Sequence, residues 1–236
     1  MIAYLGKSSV KKLYLDRVRA HRKADELVKG QYWEKGKGCA VGCTIHSGNH
    51  VDYETLIGVP RELARLEDVH FERLENGDAQ LWPERFLSAI RVGADLHMVW
   101  PRYARWMLEV LPGAKNNKRA NKSIASVLAL YAEWCESGVQ PGAGRFAAAS
   151  TYAAASAAYS AAAAYYAAAA SATYSADAAS TYSAAAYYAA YATTYAADSA
   201  ADSAAYAAYS TTYAADARRK WWNQSAEKLL ELLAAA

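Results

Sequence analysis

Between Ala147 and Ala217 the chain contains no Leu, Ile, Val, Phe, Gly or Pro, and is written in Ala, Tyr, Ser and Thr with four aspartates (Asp177, Asp198, Asp202, Asp216). No other feature limits the fold as strongly. Alanine has the highest helix propensity and nothing in the segment interrupts a helix. Alanine and serine bring too little transfer energy to hold a membrane span, so no membrane is expected despite runs such as ASAAYSAAAAYYAAAA. Tyr188, Tyr191, Tyr195 and Asp198 recur 18 residues later as Tyr206, Tyr209, Tyr213 and Asp216. Eighteen residues make five turns at about 3.6 residues per turn, so both copies put their tyrosines on one face. A single rod would expose too much apolar ring surface. The segment is therefore expected to fold back into helices packed through Ala faces, acting as a scaffold or holding a homo-oligomer together.

The rest of the chain has ordinary composition. All glycines, prolines and cysteines lie at or before Gly144, and the apolar residues there recur at helical spacing. The first helix is expected from Ser8 to Lys29, with Val10, Leu13, Tyr14 and Val18 inward and His21 and Asp25 on the same stripe. Further helices are expected at Asp52–Ile57, after Pro60, from Pro83 to Ile90, from Asp95 towards Leu111 with a restart at Pro101, and from Asn116 to Glu136. Asn76-Gly77 reads as a turn, and no run alternates as a strand would. The fold class is thus all-α. A compact multi-helix domain occupies residues 1–145, an Ala/Tyr/Ser-rich helical scaffold 146–217, and an amphipathic closing helix carrying Trp221, Trp222, Leu229, Leu230, Leu232 and Leu233 occupies 218–236. The closing helix is expected to dock on the chain's own bundle.

Residues 1–38 hold ten Lys/Arg against four Asp/Glu, a local balance of +6 within an overall +3. That favours an anionic partner, but no nucleic-acid motif is recognisable, so a small anionic or nucleotide-like ligand is expected before nucleic acid. The N-terminus lacks an apolar signal core, and three cysteines make no disulfide framework; a cytoplasmic protein is expected.

The chemically capable side chains cluster from His21 to His50. Three chemistries are open there. Cys39, Cys43, His46 and His50 form C-x3-C-x2-H-x3-H, all zinc-ligand types, but only two residues separate the pairs and a regular helix would spread them over about 16 Å. Cys39 or Cys43 beside His21 or His46, with Asp25 orienting an imidazole, would make a thiol nucleophile. The third reading treats GKGCAVG as a loop whose backbone N–H groups, with Arg19, Arg22, Lys35 and Lys37, hold an anion while His21 and Asp25 wall the site. This last reading is preferred, with Arg19, His21, Arg22, Asp25, Lys35, Lys37, Cys39, Cys43 and His46 as ligand-binding residues, no metal or other cofactor, and less than one equivalent of zinc. Whether the chain is an enzyme stays open; a thiol- or zinc-dependent hydrolase and a structural or adhesive helical protein are the alternatives. Glu67, Asp68, His70 and Glu72 are read as a solvated helix face, and His97 as a plain helix residue.

The stretches GKGCAVGCTIHSGNH, YETLIGVPRELARLED and WPERFLSAIRVGADL resemble a group of hypothetical proteins found in phage and bacterial genomes, over about residues 10 to 111. The group has no established activity, so no site residue is carried over. The resemblance implies a phage or prophage accessory protein, present in the host cell cytoplasm, that binds a ligand or a host protein and interferes with host defence.

Overall fold

A computed structural model describes residues 1–110, 118–146, 148, 149 and 211–236. The protein is predominantly helical, as its periodicity requires. The folded-back Ala/Tyr helices and most of the 18-residue repeat lie outside the described residues. The helix that begins at Thr211 carries the end of the second copy, Tyr213 and Asp216.

The chain divides into two compact units. One comprises Met1–Trp100 together with Asp216–Ala236, the other Pro101–Ala215. The first contains α1 (Ser8–Lys23), a hairpin of β1 (Trp33–Glu34) and β2 (Lys37–Gly38), α2 (Ala40–Ile45), α3 (Asp52–Ile57), α4 (Arg61–Arg73) and α5 (Asn76–Ala89). Helix α6 (Val99–Val110) starts at its end and runs on past Pro101, which sits in the first turn where its missing N–H leaves no bond unmade. His97 lies just before this helix, paired with Asp95. In the second unit α7 (Lys118–Ser137) stops at Gly138, whose φ is +70°. Tyr131 is buried there between Trp134 and Phe146, and Arg145 forks onto Glu133 at 2.5 and 2.7 Å.

The core of the first unit is built from Tyr4, Tyr53, Ile57, Leu63, Phe71, Trp82, Phe86, Leu87 and Ile90, all buried. Helix α4 lies against α2, α3 and α5, and α1 against α2 and α5. The closing helix α8 (Thr211–Ala235) completes this core by burying Trp222, Ser225, Ala226, Leu229 and Leu233, a stripe at steps of three and four. It docks on the chain's own helices, as expected.

Five local expectations are corrected. Helix α1 ends at Lys23, not Lys29, because Asp25 takes a left-handed φ of +56° and closes the helix. Asp25 N–H donates to Arg22 O (3.2 Å) and Glu26 N–H to His21 O (3.0 Å), the two bonds of a Schellman ending with Asp where Gly is usual. A two-residue hairpin exists where no strand was expected: Lys35 (φ +51°) and Gly36 (φ +84°) supply the paired positive φ of a tight primed turn. Asn76-Gly77 opens α5 instead of a turn, and the helix continues through Pro83. A mid-helix proline costs about 3 kcal/mol. Trp82, Phe86 and Leu87, fully buried around it, return roughly 1.5–3 kcal/mol each and outweigh that cost. Leu13, read as inward, faces solvent.

The fifth correction concerns α4. Glu67 and His70 are fully buried, not solvated. Tyr53 Oη donates to one Glu67 carboxylate oxygen, and Trp82 Nε1 donates to the Glu67 carbonyl (2.8 Å). The other carboxylate oxygen of Glu67 has no hydrogen-bond partner among the described residues. Desolvation raises Glu67 well above the usual carboxylate range, so it is held as the neutral acid. His70 Nδ1–H donates to Leu66 O (2.7 Å), and its Nε2 accepts from Ser225 Oγ of α8 (2.9 Å). Its ring stacks on Trp82 and meets Trp222 edge-on. Burial pushes its pKa down to about 4, so it is neutral.

Candidate functional site

The Schellman ending of α1 builds the site. In most such endings the residue after the left-handed position makes an apolar contact with the last turn. Here those two residues are Glu26 and His21, and a carboxylate–imidazole bond replaces the apolar contact: His21 Nδ1 lies 2.6 Å from Glu26 Oε2. A carboxylate only accepts, so Nδ1 carries the hydrogen and Nε2 of His21 is left as an acceptor. That nitrogen lies 2.8 Å from Nε2 of His46, which must therefore be the donor. The ring of His46 then presents Nδ1 with a free lone pair, and no described residue bonds it. His46 itself ends α2 in the left-handed conformation (φ +56°) and stands exposed.

The hairpin holds these rings in place. Trp33 stacks on His46 at 4.5 Å and 11°, and meets His21 edge-on at 5.5 Å. It can do so because the chain at Tyr32 lies directly on α2. A Cβ on Gly42 would fall 1.7 Å from the Tyr32 carbonyl oxygen, and one on Gly38 would fall 2.0 Å from it. Gly38 and Gly42 of GKGCAVG thus serve close backbone packing, while Gly36 serves the hairpin turn.

Arg17 approaches from α1. Its guanidinium donates to Thr44 O (2.9 Å) and lies over the Tyr14 ring. Burial lowers the pKa of His46 and the charge of Arg17 lowers it further, a proton on His21 would compete with one on His46, and Glu26 opposes them. At neutral pH His46 is an unprotonated imidazole beside a fixed cation.

The sequence-predicted residues separate into groups. His21, Cys43 and His46 come together here, with Cys43 Sγ donating to Gly38 O (3.3 Å). Arg19 and Arg22 are tied to Glu84 of α5 at 2.7 and 2.6 Å, and Asp25 points to solvent with Glu26 in its expected place. Lys35 and Lys37 stand at the exposed hairpin tip. The backbone cradle is already filled. Gly38 N–H donates to Glu26 O, Cys39 N–H to Gln31 and Tyr32 carbonyls, Gly42 N–H to Cys39 Sγ and Cys43 N–H to Cys39 O.

Neither thiol is poised to attack. Burial, with Asp68 beside it, pushes Cys39 far up, and burial pushes Cys43 up to about 12, so both stay protonated at neutral pH. Cys39 caps α2, while His50 turns to Asp68 (3.5 Å) and to the edge of Tyr32. The four zinc-ligand types therefore point to different neighbours. Among the described residues no group of three or more His, Cys, Asp or Glu side chains is arranged to hold a metal ion.

Sequence reading missed Arg17, Glu26 and Trp33. Arg17 and His21 are four apart on one helix, a signal that was readable. Glu26 lies five from His21 and faces it only because Asp25 reverses the chain. No family model, curated protein or solved structure matches this chain. No helix among the described residues is long and apolar enough to cross a membrane.

Proposed function

We propose that the protein is an accessory binding protein that takes a small anionic, nucleotide-like ligand at the exposed His46 ring, with Arg17 as the fixed cation. The observation that carries this reading is the pairing itself. An imidazole that is exposed, stacked and backed by a carboxylate-anchored second imidazole stands beside a guanidinium whose donors are not all used by Thr44. Lys35 and Lys37 at the hairpin tip and the +6 balance of residues 1–38 add attraction for an anion. The likeness of residues 10–111 to phage and bacterial hypothetical proteins supports a phage or prophage setting, in which the occupant or its host-protein equivalent belongs to host defence.

Calorimetric titration with inorganic phosphate and with adenosine monophosphate tests this. Affinity is expected to rise as pH falls below His46's depressed pKa, since a protonated ring adds a charge, with proton uptake on binding. Arg17→Gln and His46→Asn are each expected to weaken binding about tenfold or more. Equal affinity in both variants and in the parent would defeat the reading.

The scaffold part of the proposal rests on residues 147–217. Replacing Tyr191, Tyr195, Tyr209 and Tyr213 together by Ala preserves helix propensity and removes the stripe. Burying each ring is worth roughly 1.5–3 kcal/mol, so the variant is expected to sediment as a smaller species or melt much earlier. Unchanged sedimentation and melting would mean the stripe does not pack.

A further inference from the structure

We infer that His46 acts as a general base, and that the site turns over a ribonucleotide phosphodiester by drawing the proton from the ribose 2′-hydroxyl beside the phosphate. The inference rests on the anion-binding reading above and adds chemistry to it. Glu26, His21 and His46 form one line of hydrogen bonds, 2.6 Å and then 2.8 Å long, that ends at a ring nitrogen of the exposed His46 which no described residue bonds. A base supported from behind in this way is the arrangement of a carboxylate–imidazole catalytic pair, lengthened by one ring. When Nδ1 of His46 takes a proton, its Nε2 proton can pass to Nε2 of His21, and the positive charge moves towards Glu26. Nothing about that line is needed to end a helix; a glycine and an apolar contact would do it.

The substrate class follows from what the face offers and lacks. It offers a base and, in Arg17, a cation for a phosphate oxygen. Among the described residues it offers no side-chain nucleophile: both nearby thiols are buried and protonated, and the Ser47 hydroxyl is donated to Asp52 (2.6 Å). The attacking oxygen then comes from water or from the substrate, and a ribose hydroxyl next to a phosphodiester is the one already held beside phosphorus.

The step balances without any oxidant or added group. The ribose oxygen forms a bond to phosphorus, its proton goes to His46 Nδ1, and the phosphorus–oxygen bond to the leaving group breaks. The products are a cyclic phosphate and an alkoxide or phenoxide, which leaves as the anion or takes a proton from water. His46 then returns its proton to solvent. Protonation of His46 removes the base, so the rate rises with pH through its pKa. The groups that set that midpoint are Arg17 and His21 on α1 and Glu26 after it; Trp33 contributes a neutral ring.

The test uses the whole chain and uridine 3′-(p-nitrophenyl phosphate), read by release of nitrophenolate. Turnover is expected, rising with pH to a plateau, and falling about a hundredfold or more in His46→Asn. Glu26→Gln, a positioning variant, should keep KM, lower kcat and move the midpoint to lower pH, because the carboxylate that favours the charged ring is gone. Arg17→Gln should raise KM and move the midpoint up. No release above the blank, or release unchanged in His46→Asn shown by circular dichroism to be folded, overturns the inference. If His46→Asn does not fold, a Glu26→Gln profile identical to the parent's overturns it equally. Thymidine 3′-(p-nitrophenyl phosphate), which lacks the 2′-hydroxyl, should bind by calorimetry without turnover; its turnover at the uridine rate also overturns the mechanism. Binding of both esters with turnover of neither removes the catalytic inference and leaves the binding reading standing, whereas binding of neither removes both.

Discussion

Replacing Gly42 by alanine is expected to destabilise the first unit severely. The new methyl carbon would lie 1.7 Å from the Tyr32 carbonyl oxygen and 2.8 Å from its carbon, contacts no backbone tolerates. The obstacle is main chain, so rotating a side chain gives no relief. Only lifting the hairpin off α2 does. That movement breaks the bonds from Cys39 N–H to the carbonyls of Gln31 and Tyr32 and separates Trp33 from His46. A loss on the order of 4–5 kcal/mol is expected, a third or more of the whole stability of an ordinary domain. Guanidinium unfolding followed by circular dichroism checks it, with Gly77→Ala as the comparison. Gly77 lies in helix α5 with nothing within 4 Å of its added Cβ, so alanine there should stabilise by about 0.5–1 kcal/mol. A Gly42→Ala protein with the parent's midpoint would refute the close-approach account.

The second large effect concerns pH, and two buried groups pull in opposite directions. His70 titrates near 4 in the folded chain against about 6.5 when unfolded. The unfolded chain therefore takes up its proton first as pH falls, and stability is lost between about 6.5 and 4. At 1.36 kcal/mol per unit this amounts to about 3 kcal/mol. Glu67 has the reverse sign. Its folded pKa lies well above the ordinary carboxylate value, so the folded chain keeps a proton the unfolded chain has released. Its contribution is complete below about 4.5 and is lost as pH rises towards the folded value. The two slopes oppose each other between about 4.5 and 6.5, so melting temperature at constant ionic strength should hold a plateau there and decline on both sides. Glu67→Gln keeps the shape and removes the ionisation, so it should melt higher than the parent at pH 8 and gain much less at pH 4. A Glu67→Gln curve flat from 6.5 to 4, or a shift from Glu67→Gln that is equal at every pH, contradicts this assignment.

These two residues also mark where sequence reading stopped. Helix period and composition made the all-α class legible, because Leu63, Leu66 and Phe71 on α4 repeat at helical steps whatever else surrounds them. Glu67 and His70 fall on that same buried side, but a charged residue type argues for water until its partners are known. Tyr53, Trp82 and Ser225 are 14, 15 and 155 residues away, and no local pattern pairs them. The hairpin was hidden for another reason. Two-residue strands are too short to alternate, and their turn uses Lys35 at a position where asparagine or glycine is the usual signal. Of the site, His21, Cys43 and His46 were legible as residue types, whereas Glu26 was concealed by an aspartate doing a glycine's work.

The docking of α8 has a consequence for how the protein is made. His70 leaves the ribosome long before Ser225, 155 residues later in the chain. At the roughly 5–20 residues per second of synthesis, that interval is about 8–30 s. Throughout it the first unit carries an uncovered strip beside Trp82 and His70, where Trp222, Ala226, Leu229 and Leu233 will eventually lie. The nascent chain is thus a natural client for a holdase. A ribosome that stalls anywhere in the alanine codons releases a protein whose N-terminal core is never closed.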